Sequence, residues 1–434
     1  MFNKVWMVLV LVVVSSTGWA GGNSFTLVYS GNLDGELEPC GCSAEGDLGG
    51  ILRHATVLKQ LREERPNLVA ISTGGMLASM AAQDRLTGEY ILKGFAQLNY
   101  DAVGVQWSDL AYGDAFIRNA KLPWTATNLL SSGFVATQEI KRNEHSLAFF
   151  SWLDPAQDPQ SAMRGQHKTV SPDIKKLRQS LQQARKRGRL TVLATTMTLD
   201  QAKAVLPLEL VDLLFIRAAY EEFGEPQKVG TTLILQPGSR GMRLGRVDIT
   251  LNSKGRIGEW SNTIIAMPSS IADAEWLRSW YDEYNATVKA SYMARVAERK
   301  ARETGQSPYA SEAVCKNCHA AEHDKWSESL HSRAFSKLEK VGKSFDPACI
   351  QCHSVGYEKA GGFIDIDATP QLMNVQCENC HGAAREHADA AGTKPTTNKG
   401  WQPQQTCAQC HIQSHSPSFK FDNYWPKIRH GRGQ

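Results

Sequence analysis

The chain has 434 residues, 42% hydrophobic and 21% charged, with a formal net charge of +4. Its apolar content is enough for a real core, which excludes wholesale disorder, and the length suits two to three domains. The charge is too small to argue for nucleic acid as a partner, and ten cysteines are few for a disulfide scaffold of this size.

At the N-terminus, Lys4 precedes the apolar run Val5 to Val14, followed by small and polar residues ending Thr17-Gly-Trp-Ala20-Gly21. A charged start, a short apolar stretch and a small-residue cleavage point read as a signal peptide over residues 1–20, cut near Ala20. The run is about half the ~20 residues that span a bilayer, so a retained anchor is disfavoured. No later segment is long and apolar enough to cross a membrane. The expectation is a periplasmic or extracellular protein without a transmembrane segment after cleavage, in a compartment where thiols need an explanation.

From residue 24 to 266, strand-like and helix-like stretches alternate. Phe25–Tyr29, Asn67–Ser72, Asp101–Val105, Thr191–Thr195, Thr231–Leu235 and Arg243–Leu251 read as strands. Gly50–Glu64, Asp84–Leu98 and Pro172–Lys186 read as helices, and the basic stretch Lys175 to Arg189 as a solvated helix face. The alternation argues an α/β domain. Leu27-Val-Tyr-Ser-Gly-Asn-Leu-Asp-Gly-Glu-Leu-Glu-Pro39, Gly49-Gly-Ile-Leu-Arg-His-Ala-Thr56, Asn99-Tyr-Asp-Ala-Val103 and Leu244-Gly-Arg-Val-Asp-Ile-Thr-Leu251 resemble the 5′-nucleotidase branch of the metallophosphatases. The resemblance implies a two-sheet sandwich with flanking helices over residues 21–268. It also implies a dinuclear metal site, and there this chain departs. The family's D-x-H pair falls on Asn32 and Asp34, its G-D aspartate on Gly75 and its G-N-H-D/E stretch on Gln106-Trp107-Ser108-Asp109. The lone histidine falls near Thr195 or Thr196, and the last pair on Ala219 and Glu221. His54, His145 and His167 lie at none of these places. Two metal ions need several converging oxygen and imidazole ligands, so hydrolase activity is not expected. A docking or scaffold role remains.

Cys40 and Cys42 follow the first strand, with Gly41 allowing a tight turn between them. Glu36, Glu38, Glu45 and Asp47 make the surroundings acidic, which raises thiol pKa values rather than activating the thiols. Three readings stand: an inert disulfide or spare buried pair, a redox pair in a strained and reducible ring, or a soft-metal site. The string Glu38-Pro-Cys-Gly-Cys42 also resembles exported metallophosphatase-like proteins in which one of these positions can be selenocysteine. That resemblance implies redox chemistry there.

Ile271 to Arg302 has apolar residues at helical spacing, namely Trp276, Trp280, Tyr284 and Val288. A helix linking two domains is expected within 269–306, its aromatic stripe packing as core, and ending near Gly305 and Pro308.

The last eight cysteines form Cys315-Lys-Asn-Cys318-His319, Cys349-Ile-Gln-Cys352-His353, Cys377-Glu-Asn-Cys380-His381 and Cys407-Ala-Gln-Cys410-His411. Each is the attachment motif of c-type haem: two thiols for the vinyl groups, then a histidine for the iron. Zinc would pair two such motifs and would not need a histidine after each. Four covalent haem c groups are expected over residues 307–434. Their proximal iron ligands are His319, His353, His381 and His411. His323, His331, His387, His415 and His430 are the candidate distal ligands, with Met373 the one methionine. Five histidines for four irons point to mostly bis-histidine, low-potential haems, with a five-coordinate iron as an open alternative. The domain should be short helices and coil around the haems, with little aliphatic core.

The stretches Tyr309-Ala-Ser-Glu-Ala-Val-Cys315, Trp326-Ser-Glu-Ser-Leu-His331-Ser-Arg-Ala334, Asp346-Pro-Ala-Cys349 and Val375-Gln-Cys377-Glu-Asn-Cys380-His381-Gly382 resemble the tetrahaem cytochrome c-554 family. In that family the histidine of the Trp326–His331 stretch and the one shortly after Cys-His-Gly are distal ligands. That maps onto His331 and His387. Electron transfer between redox proteins, such as other cytochromes or quinol-linked complexes, is the expected function. The alternative is a haem-linked oxidoreductase acting on a small, sulfur-type substrate at Cys40 and Cys42. Losing Lys4 leaves +3 on the chain, and four haems add roughly −8 from propionates and roughly +4 from oxidised irons. The loaded protein then sits near −1 oxidised and −5 reduced, so a local patch rather than bulk basicity should choose its partner.

Overall fold

Strand Ser24–Ser30 (β1) is buried along almost its whole length, because it lies inside a sheet that is covered on both faces. The computed structural model describes residues 24–39, 47–81, 83–130, 133–159, 170–217, 224–412, 416 and 418–431. The expected signal peptide, Cys40, Cys42, His167, Ala219, Glu221 and His415 lie outside the described residues.

The remaining strands are Val69–Ser72 (β2), Ala102–Gly104 (β3), Trp124–Thr125 (β4), Gln138–Arg142 (β5), His145–Trp152 (β6), Leu190–Thr195 (β7), Leu213–Phe215 (β8), Gln227–Val229 (β9), Thr232–Leu235 (β10), Arg243–Leu251 (β11) and Ile257–Ala266 (β12). They form two six-stranded sheets, ordered β12-β11-β1-β2-β3-β4 and β5-β6-β7-β8-β10-β9. In the first sheet β1 to β4 run parallel, while β11 and β12 are antiparallel. In the second, β6, β7, β8 and β10 run parallel and the edge strands β5 and β9 antiparallel.

The two-residue period of a strand sorts the core. Phe25, Leu27 and Tyr29 of β1 meet Phe149, Val192, Phe215 and Leu233 of the facing sheet. Val28 points the other way, into a layer with Leu58, Ile91 and Phe95 from helices Ile51–Glu64 and Asp84–Gln97. On the far side, helices Ile174–Lys186 and Leu199–Val205 cover the second sheet through Leu177, Leu181 and Ala202. The result is the expected two-sheet sandwich with flanking helices. The basic helix behaves as expected too: Leu177, Leu181 and Ala184 face inward and its charges outward.

Two helical expectations are sharpened. The long helix begins at Arg278, not Ile271, after a short 3-10 turn over Glu275–Leu277, and Trp276 stands 47% exposed, off the stripe. Nor is the helix a free spacer. Its buried residues recur every fourth position. Trp280, Tyr284 and Val288 join the first core, whereas Tyr292 and Val296 join a separate core with Phe335, Leu338, Ile350 and Phe363. One helix is therefore shared by both cores. The second core is small, and the chain around it is a set of short helices and coil, as expected of a segment whose apolar filling is largely haem.

Candidate functional site

The second and third C-x-x-C-H motifs lie within helices. In the first and fourth the helix ends at Cys315 and Cys407, whose carbonyls accept from the His319 and His411 amides at 2.9 and 2.8 Å. Each is thus a single turn, with residues i, i+3 and i+4 brought together. Helix Pro347–His353 starts on the Asp346 cap, whose carboxylate accepts from the Ala348 amide at 3.0 Å, with Pro347 in the first turn. Helix Cys377–His381 ends at Gly382, with φ 76°, where a Cβ would lie 2.4 Å from Thr397 Oγ1.

Three motif histidines face a second imidazole. His319 and His387 have ring centres 6.2 Å apart, His331 and His411 6.1 Å, and His381 and His430 5.9 Å. Two metal–imidazole bonds of about 2 Å on opposite sides of one ion place ring centres about 6 Å apart. The residues present thus fit an iron held between each pair. Nδ1 of His387 donates to Lys394 O at 2.6 Å and Nδ1 of His430 to Ile428 O at 2.9 Å. These bonds fix the tautomer and leave Nε2 for a metal. Burial, with neighbouring imidazoles, holds His331 and His381 below the usual histidine range, in the neutral form that ligates.

The fourth motif differs. His353 Nδ1 donates to Ala334 O at 2.7 Å, leaving Nε2 available, but no imidazole faces it among the described residues. His323 lies opposite no motif histidine. Its Nε2 is 2.5 Å from Glu312 Oε2, and its ring packs on Trp326. Cys315 and Cys377 sulfurs are within hydrogen-bonding reach, as are Cys352 and Cys410. The first motif thus approaches the third and the second the fourth, and Cys380 of the third also lies near Cys407 and Cys410 of the fourth.

The frame that sets these positions was only partly visible in the sequence. Trp326 Nε1 donates to Val375 O at 2.8 Å, and Ser329 Oγ accepts from the His331 amide at 3.2 Å, so the Trp326–His331 stretch is a device for placing His331. Glu378, inside the third motif, is buried and accepts from the amides of Ala310, Ser311 and Ala384 at 2.8–3.1 Å. Gln376 accepts from Glu312 N at 2.8 Å, and Asn379 donates to Ser354 O at 2.8 Å. The two residues between a motif's cysteines are formally arbitrary, so nothing in the spacing marked Glu378 or Asn379. A buried-type carboxylate beside a required helix was the available signal. At the chain's end, Trp425 of helix Phe421–Ile428 packs on Trp401, which itself meets His381, and this carries His430 to its place.

In the first domain, four of the positions expected at a dinuclear site, Asn32, Gly75, Gln106 and Asp109, come together past the ends of β1, β2 and β3. What they build is an amide network. Gln106 Nε2 donates to Asn32 Oδ1 at 2.9 Å and to Thr73 O at 3.1 Å, and Asn32 Nδ2 donates to Gly238 O at 3.1 Å. Asp109 is fully buried and accepts from the amides of Gly75, Met76 and Gln106 at 2.7–2.9 Å. Gly75 has φ 75°, and a Cβ there would lie 2.9 Å from Gln106 Oε1 and 3.1 Å from Asn32 Cα. A side chain there would have to displace the Gln106 amide and press on the Asn32 backbone, at a φ that favours glycine. His54 is a core residue bonded to the Tyr100 hydroxyl at 2.6 Å, which bonds Ser30 in turn. Among the described residues, no group of three or more His, Cys, Asp or Glu is arranged to hold a metal ion.

Between the domains lies a cavity of about 400 Å³, walled on one side by Asp34–Pro39 and on the other by Lys343, Asp346, Cys349 and Tyr357. Lys343 Nζ ties the walls together, 2.5 Å from Glu38 Oε1 and 2.6 Å from Asn285 Oδ1, and Gln83 Nε2 donates to Asp346 at 3.3 Å.

Residues 314–382 match the family described as cytochrome c554 and c-prime. Cytochrome c-554 of Nitrosomonas europaea is 25% identical over 145 residues, covering 26% of this chain and 62% of that protein. Among solved structures, a 5′-nucleotidase precursor from Thermus thermophilus superposes with a TM-score of 0.53 at 14% identity, covering 62% of this chain and 59% of that one. The sulfate thiohydrolase SoxB of the same organism, in complex with glycerol, gives 0.51 at 17% identity, with 60% of each chain covered. The chain spans less than two thirds of each of these proteins. The C-terminal part carries a cytochrome c554-type domain, and the N-terminal part has the 5′-nucleotidase-like fold.

Proposed function

We propose, on a C-terminal domain of the cytochrome c554 type, that this protein is an exported tetrahaem cytochrome passing electrons between redox proteins. In this reading residues 1–20 are a signal peptide cut near Ala20, 21–268 a non-hydrolytic docking domain, 269–306 the joining helix and 307–434 the cytochrome. No helix among the described residues is long and apolar enough to cross a membrane. Three opposed histidine pairs on four attachment motifs carry the reading. Cys315/Cys318, Cys349/Cys352, Cys377/Cys380 and Cys407/Cys410 would anchor four haems. His319, His353, His381 and His411 would ligate proximally, with His387, His430 and His331 opposite His319, His381 and His411. Haem c, when bound, supplies one-electron exchange at a potential set by its axial ligands. The chain's part is to hold the imidazoles neutral and oriented and to bring the motifs close together. Among the described residues no imidazole stands opposite His353, and the remaining candidate, His415, lies outside them. Partners would be other cytochromes or quinol-linked complexes in the periplasm or outside the cell. A redox titration with spectra on the purified holo-protein tests this. Four haems, three of them low-spin and of low potential, are expected, and fewer than four would refute it.

A second reading has one specific observation behind it. Pro39, covalently next to Cys40, lines the same cavity as Cys349. Here Cys40 and Cys42 would form the redox pair that acts on a small sulfur substrate, and haem, when bound, would supply one-electron exchange. Changing both to serine and following haem reoxidation with candidate acceptors separates the two readings. Unchanged rates eliminate the second.

A further inference from the structure

The interdomain cavity has carboxylates on its walls, yet most are already engaged. Glu38 is held by Lys343 and by the Tyr281 hydroxyl. Asp346 caps its helix and accepts from Gln83. Asp84 accepts from the amides of Met80 and Ala81, at 2.6 and 2.8 Å, and Glu36 sits 3.4 Å from Arg240. The unmatched group is a cation. Arg295, on the helix shared by both cores, lines this cavity, and its Nε and Nη2 are buried without a hydrogen-bond partner. Elsewhere its guanidinium bonds Tyr357, whose hydroxyl burial pushes up against that bond and charge, so only the Nε–Nη2 edge is left over. Buried N–H donors left without an acceptor are destabilising, so a bound acceptor is favoured there. Nε and Nη2 together form the guanidinium edge that grips two oxygens of one anion in parallel.

The geometry points to an anion site in this cavity: the Nε–Nη2 edge of Arg295 takes the two oxygens of a carboxylate or small oxoanion. Two sources share that chemistry. One is a propionate of the haem attached through Cys349 and Cys352, since Cys349 lines the same cavity. The other is a diffusible oxoanion entering between the domains. Only the propionate source rests on the cytochrome reading. In either case the first domain is needed to complete the site, because the Asp34–Pro39 loop is one of its walls.

The test uses the holo-protein and its Arg295→Gln and Arg295→Lys variants, with haem content counted first. Sulfate and acetate are titrated calorimetrically, and the haem potentials are followed against pH. Saturable binding that weakens at least about tenfold in Arg295→Gln, with Arg295→Lys intermediate, assigns a diffusible anion. If neither anion binds, a propionate on this edge predicts a different signature. The pH at which one haem's potential begins to fall moves up in both variants, because the propionate has lost its paired donors. Lysine keeps the charge, so a purely electrostatic effect would leave Arg295→Lys at the wild-type value. No anion binding and no shift of that pH in either variant overturns the proposal. A wild-type haem count below four would instead refute the cytochrome reading, while the anion titration still reports on Arg295.

Discussion

Replacing His430 by alanine removes the imidazole whose ring centre lies 5.9 Å from that of His381. The rest of the local frame should survive, because Trp425 keeps helix Phe421–Ile428 on Trp401. The expected size of the effect comes from counting ligands. Among the described residues, four attachment motifs carry three opposed imidazole pairs and one proximal histidine with none opposite, which puts one iron in four high-spin in the oxidised wild-type protein. His430→Ala should make it two in four, doubling the high-spin signal in visible and electron paramagnetic resonance spectra at constant haem content. Added imidazole should restore the wild-type spectrum by filling the vacated space. His323→Ala should change nothing in the spin count, since His323 contacts Glu312 instead. Nor should His415→Ala, if His353 binds its iron alone. An unchanged high-spin fraction in His430→Ala would refute the pairing argument. A new high-spin haem in His415→Ala would refute the lone-histidine assignment.

Burial, then the Arg62 charge, pushes His54 down to about 3, so the folded state holds fewer protons than the unfolded one between about 3 and 6.5. The neutral imidazole's contribution is present near neutral pH and is lost as the pH falls through that window. Urea titrations should show the difference in acid sensitivity between wild type and His54→Gln, on the order of 4–5 kcal/mol across the window. Glu378→Ala leaves three buried amides without an acceptor and should cost about 3 kcal/mol or more in denaturant midpoint analysis. Glu378→Gln, which keeps one carbonyl oxygen, should cost less. A loss under 1 kcal/mol for the alanine variant would mean those amides find other acceptors. Neither the wild type nor Gly75→Asp should hydrolyse a generic phosphoester with manganese. The variant should also be destabilised, because its Cβ would press on Gln106 and Asn32 at φ 75°; measurable turnover in either would contradict the amide-network account of this site.

Much of the molecule was legible because it is written locally. The haem anchors need only i, i+3 and i+4 on one turn, so Cys377, Cys380 and His381 announce themselves. Strands β1 and β7 were equally plain, whereas β6 and β8, just as buried, were not read as strands. Strands β5, β9 and β12 were not, because edge strands are half exposed and carry ordinary polar residues. The start of the long helix was misplaced for a related reason. Trp276 keeps the helical period but lies in a 3-10 turn facing outward, and only contact with the sheet domain selects where the buried stripe begins.

By itself, then, the sequence determined which residues can hold haem, that the first domain is a two-sheet α/β fold, and that its metal ligands have been replaced. Tertiary structure alone decided which histidine stands opposite which motif. His331, between the first and second motifs, faces His411 of the fourth, and no spacing rule relates them. It also decided that a side chain at Gly75 would press on Gln106 and Asn32, and that both domains wall one cavity in which one guanidinium edge has no partner. The physical reason is the same in each case. Attachment chemistry depends on neighbours within one helical turn, whereas ligand pairing, steric exclusion and an interdomain cavity depend on segments far apart in the chain, brought together by the packing of two cores on a shared helix.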